Sequence, residues 1–138
     1  MRVVLDTNVI VSALFFGGVP RKVYDLVGMG ITPCFTQDTL AELTDIVTHQ
    51  KFEQERSRIS FPVSDIIEKL RAKGVVVEAR PLTIRISPDP SDDMFLICAI
   101  ISDAECIVSG DDHLLSLKNF SGIPIMTPRQ FLRSVRRG

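Results

Sequence analysis

The stretch VVLDTN, residues 3–8, sets a β-branched apolar run against an abrupt polar end. Val3, Val4 and Leu5 do not alternate with polar residues. That pattern marks a strand buried on both faces, and hence a parallel sheet. Asp6 stands where the run stops, and Thr7 and Asn8 form a turn that aims it. In open α/β sheets, ligands gather outside the carboxyl ends of the strands. An acid at that place is a candidate functional group, but taken alone it is also the usual cap on the next helix.

Outward from this strand, apolar and helical patterns alternate. A helix is expected from about Val9 to Phe15, stopped by Gly17-Gly18, and a second opens at Pro20. Ile31 to Phe35 reads as a strand. Thr36-Gln37-Asp38 then caps a helix whose Leu40, Leu43, Ile46 and Val47 form one apolar stripe. Residues 49–61, HQKFEQERSRISF, are the most polar and suggest an exposed helix end or a protruding helical arm. A helix restarts at Pro62-Ser64 and ends at Gly74, before a Val75–Val77 strand. Residues 78–91 are turn-rich, with Thr83 to Ile86 extended. Ser91 caps a helix from Asp92 to about Ser102, Ile107-Val108 lies in a fourth strand, and Asp111 begins a short helix. A last strand, Ile123 to Ile125, precedes a helix capped by Thr127-Pro128 and a basic tail. The expected fold is a three-layer α/β/α sandwich with a mostly parallel central sheet.

The length of 138 residues fits a single domain over 1–138. The formal net charge of −1 excludes a wholly basic surface for polyanions, so any such site must come from a local cluster or from bound cations. Cys34, Cys98 and Cys106 lack C-x-x-C spacing and sit among apolar neighbours, as buried thiols of a reducing compartment do. Asp6 and Asn8 interrupt residues 1–15 as a signal peptide, and no apolar run reaches membrane-spanning length. A cytoplasmic protein with no membrane partner is expected.

Ser109-Gly110-Asp111 follows the fourth strand as Asp6 follows the first, so two strands deliver carboxylates to one edge. Asp89, Asp92 and Asp93 place three acids in five residues at a helix start, more than a helix dipole requires. Glu42 borders the apolar stripe of its helix. Were these acids to converge, they would raise one another's pKa values, and a divalent cation would relieve the repulsion. Oxygen ligands select Mg²⁺ or Mn²⁺, and two such ions suit in-line attack by water on a phosphodiester. His49 and His113 are the only histidines, which disfavours zinc. Phosphate-binding glycine loops and a nucleophile elbow are absent from the sequence. Ser12, Ser109 and His113 form no convincing triad. Asn8 occupies the position where an aspartyl phosphatase would carry its second acid.

Four stretches together resemble the PIN domains. They are VVLDTNVIVSAL, TLAELTDIV, DPSDDMFLICAIISDAECIVSGDDHLL and GIPIMTPRQFL, in the family's order and over nearly the whole chain. The likeness is nearest to the bacterial and archaeal subgroup described as toxin components of toxin–antitoxin pairs. The resemblance implies Mg²⁺- or Mn²⁺-dependent cleavage of RNA, often by homodimers, with a small antitoxin protein as a partner. It aligns Asp6, Glu42 and Asp111 with family acids, Ser109 with a frequent Ser or Thr, and Asn8 with the Asn of the opening D-x-N. The third acid falls on Asp93, with Asp92 as the alternative ligand or helper; Asp93 lies eighteen residues before Asp111, the family's spacing. His113 departs from the usual small or acidic residue and is read as part of a helix cap, or else as a phosphate contact. Arg21, Lys22 and Arg129 are the expected grips on flanking phosphates. The alternative is a non-catalytic PIN-like RNA-binding scaffold, whose signature would be lost acids; all four are present.

Overall fold

The fold is described from a computed structural model covering residues 1–60, 62–79 and 90–137, with side chains 90–92 and 137 excepted. The expected extended stretch Thr83–Ile86, the acid Asp89 and the side chain of Asp92 lie outside the described residues. The first strand, β1, spans Arg2–Leu5 and buries its last three residues. Helices α1 (Thr7–Phe15) and α2 (Gly18–Tyr24) lead to β2 (Thr32–Phe35). Helix α3 (Gln37–Val47), a 3-10 turn over Gln50–Phe52, α4 (Glu53–Arg58) and α5 (Val63–Lys73) lead to β3 (Val75–Val76). Helix α6 (Pro90–Ile101), β4 (Cys106–Val108), α7 (Asp112–Ser116), β5 (Asn119–Phe120), β6 (Ile123–Met126) and α8 (Pro128–Arg137) complete the chain.

Among the described residues the sheet has six strands in the order β3-β2-β1-β4-β6-β5. All pairs are parallel except β5–β6. β1 is flanked by β2 on one side and β4 on the other, so the strand order reverses beside it. The period-2 alternation of side chains splits the core in two. Val3, Leu5, Phe35, Cys106 and Val108 face one layer, where they meet residues of α1, α2, α3, α5 and α8. Val4, Cys34, Ile107 and Ile125 face the other, against Phe95, Leu96, Cys98 and Ala99 of α6 and Leu114 of α7. The three-layer α/β/α sandwich and its mostly parallel sheet are as the sequence predicts. Val23, Tyr24 and Val27 of the second helix region are core residues.

Three local departures have physical causes. The second helix begins at Gly18, two residues before Pro20. Pro20 is tolerated there because the first four N–H groups of a helix lack intrahelical partners. The polar stretch after α3 does not protrude as an arm. The Phe52 ring lies 5.2 Å from that of Phe15, and Arg56 Nη1 donates to the carbonyls of Val47 (2.9 Å) and His49 (2.7 Å) at the end of α3. The last strand is half of a hairpin. Ser121 (φ 51°) and Gly122 (φ 81°) both take positive φ between β5 and β6, as a two-residue type I′ turn demands.

All three cysteines are free and buried. Burial pushes the thiols of Cys98 and Cys106 up to about 12, with the neighbouring Cys34 and Glu105, respectively, adding to the rise. Among the described residues, no helix is long and apolar enough to cross a membrane.

Gly74 ends α5 where the chain passes β2. A Cβ there would sit 2.3 Å from the carbonyl oxygen of Pro33 and 2.8 Å from that of Leu70. Backbone cannot yield as a flexible side chain does, so Gly74→Ala should destabilise by about 1–3 kcal/mol. Urea denaturation checks this; an unchanged midpoint would contradict the packing.

Candidate active site

The register of the two central strands creates the site. Leu5 pairs with Val108, so the residues that follow, Asp6 and Ser109, emerge side by side at the point where strand order reverses. Crevices at such switch points are where open α/β sheets bind ligands. Asp6 N donates to Val108 O (2.9 Å) and Ser109 N to Met126 O (2.9 Å), which carries the parallel pairing one step past the strands.

Asp6 is only 4% exposed. Ser109 Oγ donates to its Oδ2 at 2.7 Å, and Asn8 N makes a longer 3.4 Å contact with Oδ1. Asp6 therefore is the cap of α1, as its position also suggested, and something more. Asp111 repeats the device at the start of α7. His113 N donates to its Oδ1 (2.7 Å), while its own N–H donates to Ser109 Oγ (2.9 Å). Ser109 thus links the two acids through one hydroxyl. His113 joins this cap through its backbone, and its side chain is exposed.

Glu42 comes from α3, which Thr36 and Thr39 start by reciprocal bonds. Thr36 N donates to Thr39 Oγ1 (2.9 Å) and Thr39 N to Thr36 Oγ1 (3.2 Å). That start places Glu42 about one and a half turns into the helix, where Thr7 Oγ1 donates to its Oε2 at 2.8 Å. Thr7 is buried and belongs to the Asp6 turn. Its sequence role looked purely conformational; its hydroxyl instead reaches across 35 residues of chain to hold an acid, and no local pattern announces such a bond.

Burial raises the Asp6 carboxyl above its ordinary pKa of 3.8. The bonds from Ser109 and Asn8 oppose the rise, and the charges of Asp111 and Glu42 add to it. Asp6 therefore feels the charges of both other acids. Each uses one oxygen for its best protein hydrogen bond. Glu42 Oε1 and Asp111 Oδ2 accept none among the described residues. No Lys or Arg pairs with these three acids among the described residues, where Arg21–Asp25 (2.9 Å) is the sole ion pair. As positioned, no group of three or more His, Cys, Asp or Glu side chains among the described residues is arranged to hold a metal ion.

Asp93 lies in the first turns of α6 and is half-buried. The far end of that helix is tied to the start of β1, through Arg2 Nη1 to Ser102 O (2.8 Å) and Glu105 N to Arg2 O (2.8 Å). Asp93 is not among the charges that act on Asp6, which are those of Asp111 and Glu42. Arg21 and Lys22 are exposed on α2, with Arg21 bound to Asp25, and Arg129 is exposed on α8. Beside Asp111 opens a cavity of about 260 Å³ whose walls include Asn8, Ser12, Pro20 and Pro128. Arg21 and Arg129 each follow one of those prolines in the chain. Ser12 was not singled out as a site residue, although its place four residues after Asn8 puts both on one helix face.

A family model described as a PIN domain matches residues 2–113. The chain belongs to the PIN domain family. The fold is similar to that in a crystal structure of VapBC2 from Rickettsia felis bound to a DNA fragment from their promoter. That likeness has a TM-score of 0.59 at 17% identity, over 91% of this chain and 97% of the other. It is also similar to PAE2754 from Pyrobaculum aerophilum, with a TM-score of 0.58 at 17% identity, over 96% and 87%. A search of curated proteins finds no significant match. This PIN domain presents Asp6 and Asp111 at the β1–β4 switch point.

The raised pKa of Asp6 has a signed consequence. Between its unfolded and folded pKa values the native state binds the extra proton, so its ionisation costs stability as pH rises through that window, and the cost persists above it. Metal-free Asp6→Asn should therefore melt higher than wild type at pH 7. The gain should shrink as pH falls toward the ordinary carboxylate range. Melting curves at pH 7 and pH 4 check it; a lower melting temperature at pH 7 would contradict it.

Proposed function

We propose that this PIN domain is a divalent-metal-dependent endoribonuclease, the toxin of a toxin–antitoxin pair. The observation that carries the reading is a buried carboxylate, Asp6, that feels the charges of Glu42 and Asp111, with no Lys or Arg pairing any of the three among the described residues. Acids arranged in this way call for a cation from outside. The donor set is all oxygen, which fits Mg²⁺ or Mn²⁺ and not zinc. Asp6, Glu42, Asp93 and Asp111 would hold the ion, directly or through water, with Asp92 as a helper or an alternative to Asp93. When bound, the ion supplies a lowered pKa for an attacking water and charge neutralisation at the scissile phosphate.

The remaining roles belong to the chain. Ser109 and the Asn8 N–H fix the Asp6 carboxylate, and Ser109 also sets the turn that presents Asp111. Thr7 fixes one oxygen of Glu42, leaving the other to orient the attacking water. The Asn8 side chain would contact substrate at the reacting edge; Ser109, aligned with a site position by the resemblance, is fully buried with its hydroxyl shared between Asp6 and Asp111, so its part is to position those acids. Arg21, Lys22 and Arg129 would grip neighbouring phosphates, a salt-sensitive contribution. The RNA substrate, a small antitoxin and a homodimer belong to this reading. The family match, the fold likeness to VapBC2 and the sequence resemblance to toxin components support it.

RNA cleavage with Mg²⁺ or Mn²⁺ should vanish with EDTA and fall at least about 100-fold in Asp6→Asn and Glu42→Gln. Millimolar Mn²⁺ should raise the melting temperature of wild type, by mass action on the native state, and raise that of Asp6→Asn less. Cleavage that survives both EDTA and Asp6→Asn would overturn the reading. Thr7→Val should also weaken the Mn²⁺-dependent rise while Thr7→Ser retains it, since only the hydroxyl holds Glu42.

A further inference from the structure

The cavity beside Asp111 has a construction of its own. Two prolines, Pro20 from α2 and Pro128 at the start of α8, form part of its walls. Asn8 and Ser12 stand on the same face of α1 and line it with polar groups. Neither side chain makes a hydrogen bond among the described residues, although both are available. Asn8 is exposed and Ser12 half-buried, so the carboxamide and the hydroxyl are reachable without any rearrangement of the core. Gly110 leaves the mouth open, for a Cβ there would meet nothing within 4 Å.

The volume, about 260 Å³, lies below the roughly 300–1,000 Å³ typical of pockets for drug-sized molecules. It suits one small planar group and not an extended ligand. The carboxamide offers a donor and an acceptor side by side, the pattern that reads a base edge bidentately. Proline rings offer apolar surface for such a ring to lie against, and bases extruded from a strand are held between apolar surfaces while their edges are hydrogen-bonded. Asp111 belongs to both the cavity and the acid cluster, so an occupant lies next to the reacting centre.

We infer that this cavity is a nucleobase subsite, in which one unstacked base of single-stranded RNA adjacent to the scissile phosphate is read by Asn8 and Ser12. The inference rests on the ribonuclease reading and adds to it the group that sets cleavage preference. The alternation of functions along α1 follows. Its cap, Asp6, serves the chemistry, and its outer face at Asn8 and Ser12 serves selection.

The experiment uses the full chain and two variants, Ser12→Ala and Ser12→Leu. The Ser12 side chain supports no other group, so both should fold, and melting curves verify this. An RNA pool randomised around the cut is digested with Mn²⁺ and sequenced. Wild type should show a base preference at one position next to the cut. Ser12→Ala should weaken it roughly 2- to 10-fold, the scale of one hydrogen bond. Ser12→Leu, which narrows the cavity and removes the hydroxyl, should erase the preference and raise KM, with the Mn²⁺-induced melting shift unchanged. In parallel, the four free nucleosides are titrated against labelled protein. At least one should shift the backbone amides of residues 8, 12 and 110 in wild type and not in Ser12→Leu. Cleavage with a preference identical in all three proteins overturns the subsite and leaves the nuclease reading intact. If wild type cleaves no RNA, the nuclease reading fails, and the nucleoside titration alone decides: shifts lost in Ser12→Leu support the subsite, and no shifts overturn it.

Discussion

The hydrogen bond from Ser109 to Asp6 depends on a single register, Leu5 opposite Val108, and the candidate site depends on that bond. A slip of one residue between β1 and β4 would turn every side chain to the other face of the sheet. Two separate cores guard against it. Val3 and Leu5 are claimed by one helical layer and Val4 by the other. The precision of the acid pair is therefore drawn from ordinary apolar packing several residues away. The dipeptide Asp6-Thr7 extends that precision sideways. Asp6 ties to β4 through Ser109, and Thr7 ties to α3 through Glu42, so one turn aligns three segments that are distant in sequence.

These same contacts show why the site is costly to keep. A nearly inaccessible carboxylate, two like charges within electrostatic reach and no protein cation among the described residues to offset them all work against folding. Hydroxyl and amide donors compensate only in part. A core designed for stability alone would place an Asn at position 6, which caps a helix without the charge. Local electrostatic conflict set into an otherwise consistent fold is what makes the β1–β4 edge the candidate site.

The α/β alternation and the acid-after-strand pattern were legible in the sequence because each follows from a short run of residues. Asp6 and Asp111 announce themselves as polar residues closing an apolar strand. Glu42 is detectable only as a charge at the border of a helical stripe, and its link to Thr7 is invisible, since 35 residues separate them. The polar chemistry of residues 49–61 concealed that Phe52 and Arg56 fold the segment back onto α1 and α3. Strand β5 escaped because two residues cannot show a period. Ser121-Gly122, a turn dipeptide between β-prone residues, was the sign available. The exposed basic residues carry no sequence mark that separates a phosphate grip from solvated surface, and Arg21 already has Asp25 as a partner.

The burial of all three cysteines gives the molecule an internal clock. Cys34 sits in the β2 strand, Cys98 in α6 and Cys106 in β4, so the thiols sample three central elements of the sandwich. With protons held tightly and no solvent path, none can react with a disulfide or maleimide reagent from the closed state. Each reacts only when its element opens. The rate of modification at each sulfur then reads the opening free energy of that element, without any introduced label, and comparison of the three separates local breathing of one layer from global unfolding.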